Sequence, residues 1–432
     1  MMRLLRALVH DRHPLRLAWH KAKAVAAAAR EGFPASKLAV IGVTGTDGKT
    51  TTVGMVAHIL KAAGIRAGSL STASFSVDGE TAWNATQKTS PSPFTVQRFL
   101  KRLVREKCTH AILEYSSHGL VQGRTLCTWP SVAGITNISP EHLDYHKTMR
   151  QYMHDKGILF RMLRGQGTKV LNAQDQTFPL YRTIPSRRTI AYGIGEPDAP
   201  ETMVRLWAED MKATQHSTEA VIRCSDGWSE TLRLPIAGAF NVSNALCAVA
   251  CAMGADVEGP VAVRALSDFR GIPGRIERID EGQPFAVFVD FTVTPASYQS
   301  TLSTLRDSLP QGGRLLVLMG SCGDRMKEKR PLIGQIASDL ADVVVVTNED
   351  PYTEDPERII DDVLSGVDRT KAETHRIVDR REAMEFVLGQ AKPGDSVVFC
   401  GKGSDTTMWV KSGKIPWSER EIVRELLRSR KA

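Results

Sequence analysis

Three stretches of the chain hold residues whose types and spacing can do chemistry. The first is Gly45-Thr46-Asp47-Gly48-Lys49-Thr50-Thr51, which follows the apolar run Leu38–Val43. Gly45 and Gly48 permit backbone conformations that turn successive N–H groups toward one point at the start of a helix, a nest for phosphate oxygens. Lys49 supplies the counter-charge, and a Thr50 or Thr51 hydroxyl can ligate Mg2+. The spacing is not the standard G-x-x-x-x-G-K-[ST], because Val43 stands where the first glycine belongs and Gly42 lies one residue further back. The second stretch, ILEYSSHGLVQGR, carries Glu114, Ser116, Ser117, His118, Gln122 and Arg124. The third, TNISPEHLDYH, carries Asn137, Glu141, His142, Asp144 and His146. Oxygen donors such as Thr50 and Glu114 suit Mg2+ held together with nucleotide phosphates.

Such loops need rigid elements behind them. Leu38–Val43 reads as a buried strand and Thr50–Lys61 has helical spacing. HAILEYS (110–116), SVAGITN (131–137) and TKVLNA (168–173) are strand-like runs that each end where polar residues begin. That is the habit of parallel strands whose C-terminal ends carry a site. Between about 200 and 235 the runs MVRLWAED, EAVIRCS and ETLRLP read as a small antiparallel addition. A helix follows in AFNVSNALCAVACAMG, then Gly and Pro punctuate FRGIPGRIER (269–278). Beyond it FAVFVD, RLLVLMG, DVVVVTN and SVVFCG are four further buried strand candidates. The expected fold is α/β: a central P-loop-type domain on a parallel sheet and a C-terminal Rossmann-like domain. The boundaries are expected at 1–36 for a basic segment, 37–272 for the ATP-binding domain and 273–432 for the last, with a hinge near 270–280.

A chain of 432 residues is long for one core, and its 42% hydrophobic and 24% charged residues fit a soluble globular protein. No apolar stretch approaches the about 20 residues of a membrane span. Seven scattered cysteines without a C-x-x-C pair fit reduced thiols in a cytoplasmic enzyme better than disulfides or zinc. The net charge of +8 is concentrated at the front, where residues 1–37 hold eight Lys and Arg against Asp11 and Glu31. Leu4 and Leu8, then Leu15 and Trp19, are apolar pairs at helical spacing, with Pro14 expected to break the segment into two short helices. Such a segment could meet an anionic membrane surface through residues 1–30, clamp an anionic substrate, or simply pack on its own domain. No nucleic-acid partner is expected.

The motifs GTDGKTT, SSHGLVQGR, TNISPEHLDYH, AFNVSNA, PGRIE, GDRMKEKRPL and GKG occur in this order from about Lys37 to the end of the chain. In these motifs the chain resembles the ATP-dependent Mur ligase family. The resemblance implies an amide-forming ligase that adds an amino acid to a muramoyl-peptide carboxylate through an acyl-phosphate, with ATP and Mg2+. A related ligase extending another amino-acid polymer (cyanophycin-like or polyglutamate) and a non-catalytic nucleotide-binding scaffold are the alternatives. Carried onto this sequence, it implies that Lys49 and the loop Gly45, Thr46, Asp47, Gly48, Thr50 and Thr51 bind the phosphates. Thr50 and Glu114 would ligate one Mg2+ and His142 a second. Lys156 matches a lysine that the family carbamylates at its metal site. Asn241 and Asn244 match adenine-side residues, and Arg275 and Asp290 match groups near the phosphates and ribose. Thr89, Ser90, Ser116, Gln122 and Arg124 match positions that hold a nucleotide- or carrier-linked peptide donor. The acceptor amine would bind on the C-terminal domain, and closure about the hinge would bring the reactants together.

Departures from the family pattern set further expectations. Family members build an N-terminal domain before the phosphate loop, whereas here a basic segment precedes it. The donor is therefore held differently, lacks uridine, or meets a domain supplied by a partner. Where diaminopimelate-adding members carry Asp-Asn-Pro-Arg, this chain reads Glu349-Asp350-Pro351-Tyr352. Arg325 remains to grip an α-carboxylate. After Gly401-Lys402-Gly403 the usual His-Glu is Ser404-Asp405. The usual Asp-Tyr-Ala-His-Thr-Pro reads DFTVTP, so Phe291 and Val293 lose hydrogen-bonding groups. Glu349, Asp350 and Asp405 are expected to surround the acceptor side chain with acid. That surround favours a basic diamino acid such as L-lysine over one with a distal carboxylate.

Overall fold

The structure is a computed structural model that describes residues 12–84, 86, 88–214 and 217–430. These residues form two compact units. The first takes 12–212, 219–234 and 241–269, and the second takes 213–214, 217–218, 235–240 and 270–430. No helix among the described residues is long and apolar enough to cross a membrane, and all seven cysteines are free thiols.

The first unit is built on an eleven-stranded sheet. Its strands are β1 (Ala39–Thr44), β2 (Ala67–Leu70), β3 (Ser74–Val77), β4 (Glu80–Trp83), β5 (His110–Glu114), β6 (Val132–Ile135), β7 (Thr168–Asn172), β8 (Arg188–Ile194), β9 (Val204–Ala213), β10 (Thr218–Cys224) and β11 (Ser229–Leu234). The order across the sheet is β11-β10-β9-β8-β7-β6-β1-β5-β2-β3-β4. From β9 to β2 the printed pairings are parallel, and β2-β3-β4 turn back as antiparallel hairpins. β1 lies between β5 and β6, with Val43 opposite Glu114 and Thr44 opposite Ile135. The ends of three adjacent parallel strands therefore open on one rim, where α/β sheets place their ligands. The runs MVRLWAED, EAVIRCS and ETLRLP form β9 to β11. They continue this one sheet rather than standing apart from it, and β9 joins it parallel to β8.

Why β1 is a central strand follows from its side chains. Val40, Ile41 and Val43 are all fully buried, as a strand covered on both faces requires. Each such side chain contributes about 1.5–3 kcal/mol by leaving water. Pro14, expected to separate two helices, stands at the first position of a helix, as the start of the second would require. The helix Pro14–Glu31 has His13 as its N-cap and Gly32, in the left-handed region, as its C-cap. The Leu4–Leu8 helix expected before it lies outside the described residues.

The second unit holds a six-stranded sheet, β12 (Glu277–Arg278), β13 (Ala286–Asp290), β17 (Ser396–Cys400), β14 (Leu315–Met319), β15 (Val343–Val346) and β16 (Glu373–Arg376) in spatial order. The four apolar runs of the sequence are β13, β14, β15 and β17, mutually parallel and fully buried. A separate hairpin, β18 (Thr407–Val410) with β19 (Gly413–Pro416), follows β17.

Candidate active site

The loop after β1 is a glycine loop for two physical reasons. Gly45 and Gly48 sit at φ of 147° and 79°. A Cβ on Gly45 would stand 1.9 Å from Thr136 Oγ1, and one on Gly48 would stand 2.1 Å from Asn244 Oδ1. Neither position accepts a side chain. The residues after β6 fix the loop's shape. Thr46 N donates to Asn137 O at 2.8 Å, Asp47 N to Asn137 Oδ1 at 3.0 Å, and Thr136 Oγ1 to Asp47 O at 2.6 Å. The helix Lys49–Ala62 starts at the loop, so the positive end of its dipole faces the loop, a setting that favours an anion. Lys49 Nζ donates to Thr46 O at 2.7 Å, which lays its charge over the loop. Thr51 is buried in the helix's first turn. Asn244 Nδ2 donates to Asn241 Oδ1 at 3.1 Å, so the two asparagines of the helix Phe240–Met253 close the loop's other side as one unit.

Glu114 ends β5 with its carboxylate buried. Its Oε2 accepts from Thr50 Oγ1 at 3.0 Å and from Thr72 N at 2.7 Å, and its Oε1 accepts from Thr72 Oγ1 at 3.1 Å. Thr72 was not among the residues singled out by sequence. Its signal is the polar cluster Ser71-Thr72 directly after β2. Through Thr72 Oγ1, which is 2.8 Å from Thr89 Oγ1, the loop is tied to the predicted donor residues. Ser116 N donates to Ser90 Oγ at 3.0 Å, and Ser116 Oγ caps the following short helix by accepting from Gly119 N at 3.1 Å. Arg124 Nη1 donates to Ser90 O at 2.9 Å, while its Nε and Nη2 donate to Gln122 Oε1 at 2.9 and 2.7 Å. Ser90, Ser116, Gln122 and Arg124 thus form one hydrogen-bonded cluster, and Thr89 reaches Glu114 through Thr72.

Lys156 is buried, donates to Gly45 O, and sits 4.8 Å over the Tyr152 ring. Burial, then the neighbouring Lys49 charge, pushes its ammonium well below the usual lysine range against the opposing pull of Asp47, Glu114 and Asp175. The shift moves the balance toward the uncharged amine. Beside it runs a buried chain that links Ser117 and His146, both named from sequence, to Asp155, a connection sequence reasoning missed. Asp155 Oδ2 is 2.6 Å from His146 Nδ1, and His146 Nε2 is 3.0 Å from Ser117 Oγ. Arg12 closes the chain with both Nη atoms on the Asp155 carboxylate, at 2.5 and 3.1 Å. Residues more than a hundred positions apart meet there, which no local spacing announces. His142 adopts φ of 56°, lies edge-on to His118 at 4.8 Å, and has Nδ1 3.9 Å from Glu141 Oε1.

In the second unit, Asp290 accepts from Ile276 N at 2.7 Å and from Thr292 Oγ1, and burial raises its carboxyl despite these donors. Arg275 stacks on the Phe291 ring at 4.3 Å, so the aromatic that departs from the family pattern packs this guanidinium. The acidic surround expected of Glu349, Asp350 and Asp405 is corrected here. Lys402 Nζ donates to Asp350 Oδ1 at 2.9 Å and to Asp405 Oδ2 at 3.0 Å, with the lysine side chain buried. Asp350 Oδ1 also accepts from Trp409 N at 2.8 Å. Glu349 takes the Cys322 thiol at 2.9 Å, and burial raises its carboxyl above the usual range. Gly401 lies against it, where a Cβ would stand 2.5 Å from Glu349 Oε2. Arg325 stands 5.7 Å over the Tyr352 ring, which stacks on Trp409 at 5.4 Å. The three acids therefore all have internal partners, and three carboxyls set against the one Lys402 ammonium leave an excess of at most two, not three.

No group of three or more His, Cys, Asp and Glu residues able to hold a metal ion occurs among the described residues. A hydroxyl and a carboxylate, Thr50 and Glu114, fit Mg2+, which keeps few protein ligands and fills the rest of its octahedron with phosphate oxygens and water.

Comparison with known proteins places this geometry. The Mur ligase middle domain matches residues 43–252, and the Mur ligase, glutamate ligase domain matches residues 274–403. A UDP-N-acetylmuramoyl-L-alanyl-D-glutamate–2,6-diaminopimelate ligase of Bacillus licheniformis is 35% identical over 413 residues, covering 94% of this chain and 82% of the relative. A solved structure of a ligase with that same name is 29% identical with a TM-score of 0.63, covering 91% of this chain and 79% of its own. The folylpolyglutamate synthase of Mycobacterium tuberculosis has a TM-score of 0.72 at 17% identity, over 94% of both chains, a likeness of fold.

Proposed function

The chain belongs to the Mur ligase family of ATP-dependent, amide-bond-forming ligases, and from that premise we propose that it adds an amino acid to the free carboxylate of a UDP-muramoyl peptide. The hydrogen bond between Thr50 and Glu114 carries this reading, because it joins the phosphate loop to the cluster that would hold the donor. A donor carboxylate oxygen bonds to the γ-phosphorus of ATP while the bond from that phosphorus to the bridging oxygen breaks, releasing ADP. The acceptor's amine then bonds to the acyl carbon, loses a proton, and expels phosphate. Lys49 and the loop amides hold the γ-phosphate as its charge moves. Thr50 and Glu114 would hold Mg2+, which neutralises charge on the transferring phosphate. Asn241 and Asn244 bound the nucleotide end. Arg275 and Asp290 serve the phosphates and ribose.

Lys156 is proposed as the carbamylated lysine. Burial moves its amine toward the uncharged form, the form that adds CO2 to give a carbamate and a proton, and His142 would serve a second cation. Incubation with 13C-labelled CO2 should give a carbamate carbon signal that Lys156→Ala lacks; its presence in the variant would refute the assignment. Arg325 holds the acceptor's α-carboxylate. Tyr352 and the Asp350–Lys402–Asp405 group offer no spare cation to a distal carboxylate, which favours a basic diamino acid.

The test is ADP release with UDP-muramoyl dipeptide and single amino acids, with the amide product read by mass. Amino-acid-dependent ADP release that Lys49→Ala abolishes is expected. ADP release without the muramoyl donor, or none with any amino acid, would contradict the reading.

A further inference from the structure

The helix Pro14–Glu31 packs Ala24, Ala27 and Ala28 into the first unit. Its Lys21 stem lies against the turn at Gly123, where a Cβ would stand 2.9 Å from Lys21 Cγ. One helical step on, His20 and Lys23 reach a cavity of about 170 Å3 whose other walls are Lys88, Ser92, Pro93, Gln122 and Arg124. The cavity is thus lined by two lysines, an arginine and a histidine. Lys23, Lys88 and Arg124 form no ion pair among the described residues. All the hydrogen bonds given above for the Arg124 guanidinium go to neutral oxygens, of Gln122 and Ser90. Burial accordingly lowers its pKa from the usual value, as for a cation without a counter-charge. Three cations around one small cavity repel one another, so the arrangement favours a ligand with at least two negative charges.

We infer that this cavity binds a phosphate or diphosphate group of the donor, with His20 and Lys23 of the N-terminal helix as specificity-determining residues. The inference rests on the donor reading above, since Gln122 and Arg124 belong to both sites. It assigns the front of the chain a direct part in substrate recognition. The cations would fix a diphosphate by charge-assisted hydrogen bonds.

The test titrates inorganic pyrophosphate into the full chain with the phosphate loop saturated by ADP and Mg2+, and measures donor KM in parallel. Lys23→Ala keeps a good helix former at an exposed position. It should weaken pyrophosphate and raise donor KM about tenfold, the loss of one charge-assisted contact, with kcat within about twofold. His20→Ala should do the same to a smaller degree. Arg30→Ala removes an equal charge from the same helix outside the cavity and should change neither. Wild-type pyrophosphate affinity or wild-type donor KM in Lys23→Ala overturns the inference. If the enzyme turns over no muramoyl donor at all, the functional reading fails by itself. The titration then decides the cavity alone: weakening in Lys23→Ala supports it and unchanged affinity overturns it.

Discussion

Lys402 donates to Asp350 at 2.9 Å and to Asp405 at 3.0 Å with its side chain out of water. Burial would lower its ammonium pKa, but the two carboxylates outweigh burial and raise it above the usual lysine range. Removing one partner of a buried pair leaves a charge unpaired, so Lys402→Met should destabilise the protein by about 3–5 kcal/mol. Denaturant midpoints of the two proteins check this, and equal midpoints would show that the carboxylates find other partners. From sequence, Asp350 and Asp405 look like free acids, because the cation that consumes Asp350 lies 52 positions away. The strand–glycine-turn–helix of residues 39–62, by contrast, was legible, because its apolar run, glycines and helical pattern are contiguous. Tyr352 is the residue on which acceptor choice should turn. Tyr352→Arg places a guanidinium where a distal carboxylate would lie, and should shift the kcat/KM ratio of diaminopimelate to lysine by about tenfold or more toward diaminopimelate. Competition between the two amino acids with one donor measures it. An unchanged ratio would place the distal group elsewhere.

At the scale of elements, the helix Lys329–Leu340 is fastened by Arg330. This fully buried guanidinium donates to Glu354 at 3.1 Å, to Asp362 at 2.9 Å and to Cys322 O at 3.1 Å. The Arg330 hydrogen bond, with Asp324 N and Lys327, holds the Glu354 carboxyl at about 2 against a burial penalty. A carboxyl lowered by folding stabilises the folded state above its unfolded pKa near 4.5, and that contribution is lost as pH falls through about 2. Glu354→Gln should therefore melt below wild type at pH 7, and the two should converge between pH 4.5 and 2. A melting difference independent of pH would contradict this. The buried central strands were readable because parallel strands covered on both faces are continuous apolar runs. β3 and β4 were not, since Ser74–Val77 and Glu80–Trp83 are four residues each and half polar, with β3 only partly buried and β4 exposed at the sheet edge.

For the whole molecule, ligation needs an activated carboxylate and an amine in one chain. The first unit brings the loop proposed for phosphate, Glu114 and the cluster proposed for the donor to the ends of β1, β5 and β6, and the second unit carries Arg325, Tyr352 and the Lys402 group. What sequence reading lost at this scale was connection over distance. Arg12 to Asp155, His146 to Ser117 and Thr72 to Glu114 are contacts that only the fold creates. The central claim is that the donor's own carboxylate takes the γ-phosphate before the amine attacks. It is tested most directly by labelling both oxygens of the donor's acceptor-site carboxylate with 18O and analysing the phosphate released in a complete reaction. The account predicts one 18O atom in each phosphate and one left in the amide carbonyl. Unlabelled phosphate, with ADP still released, would mean that water rather than the carboxylate receives the phosphoryl group, and would contradict it.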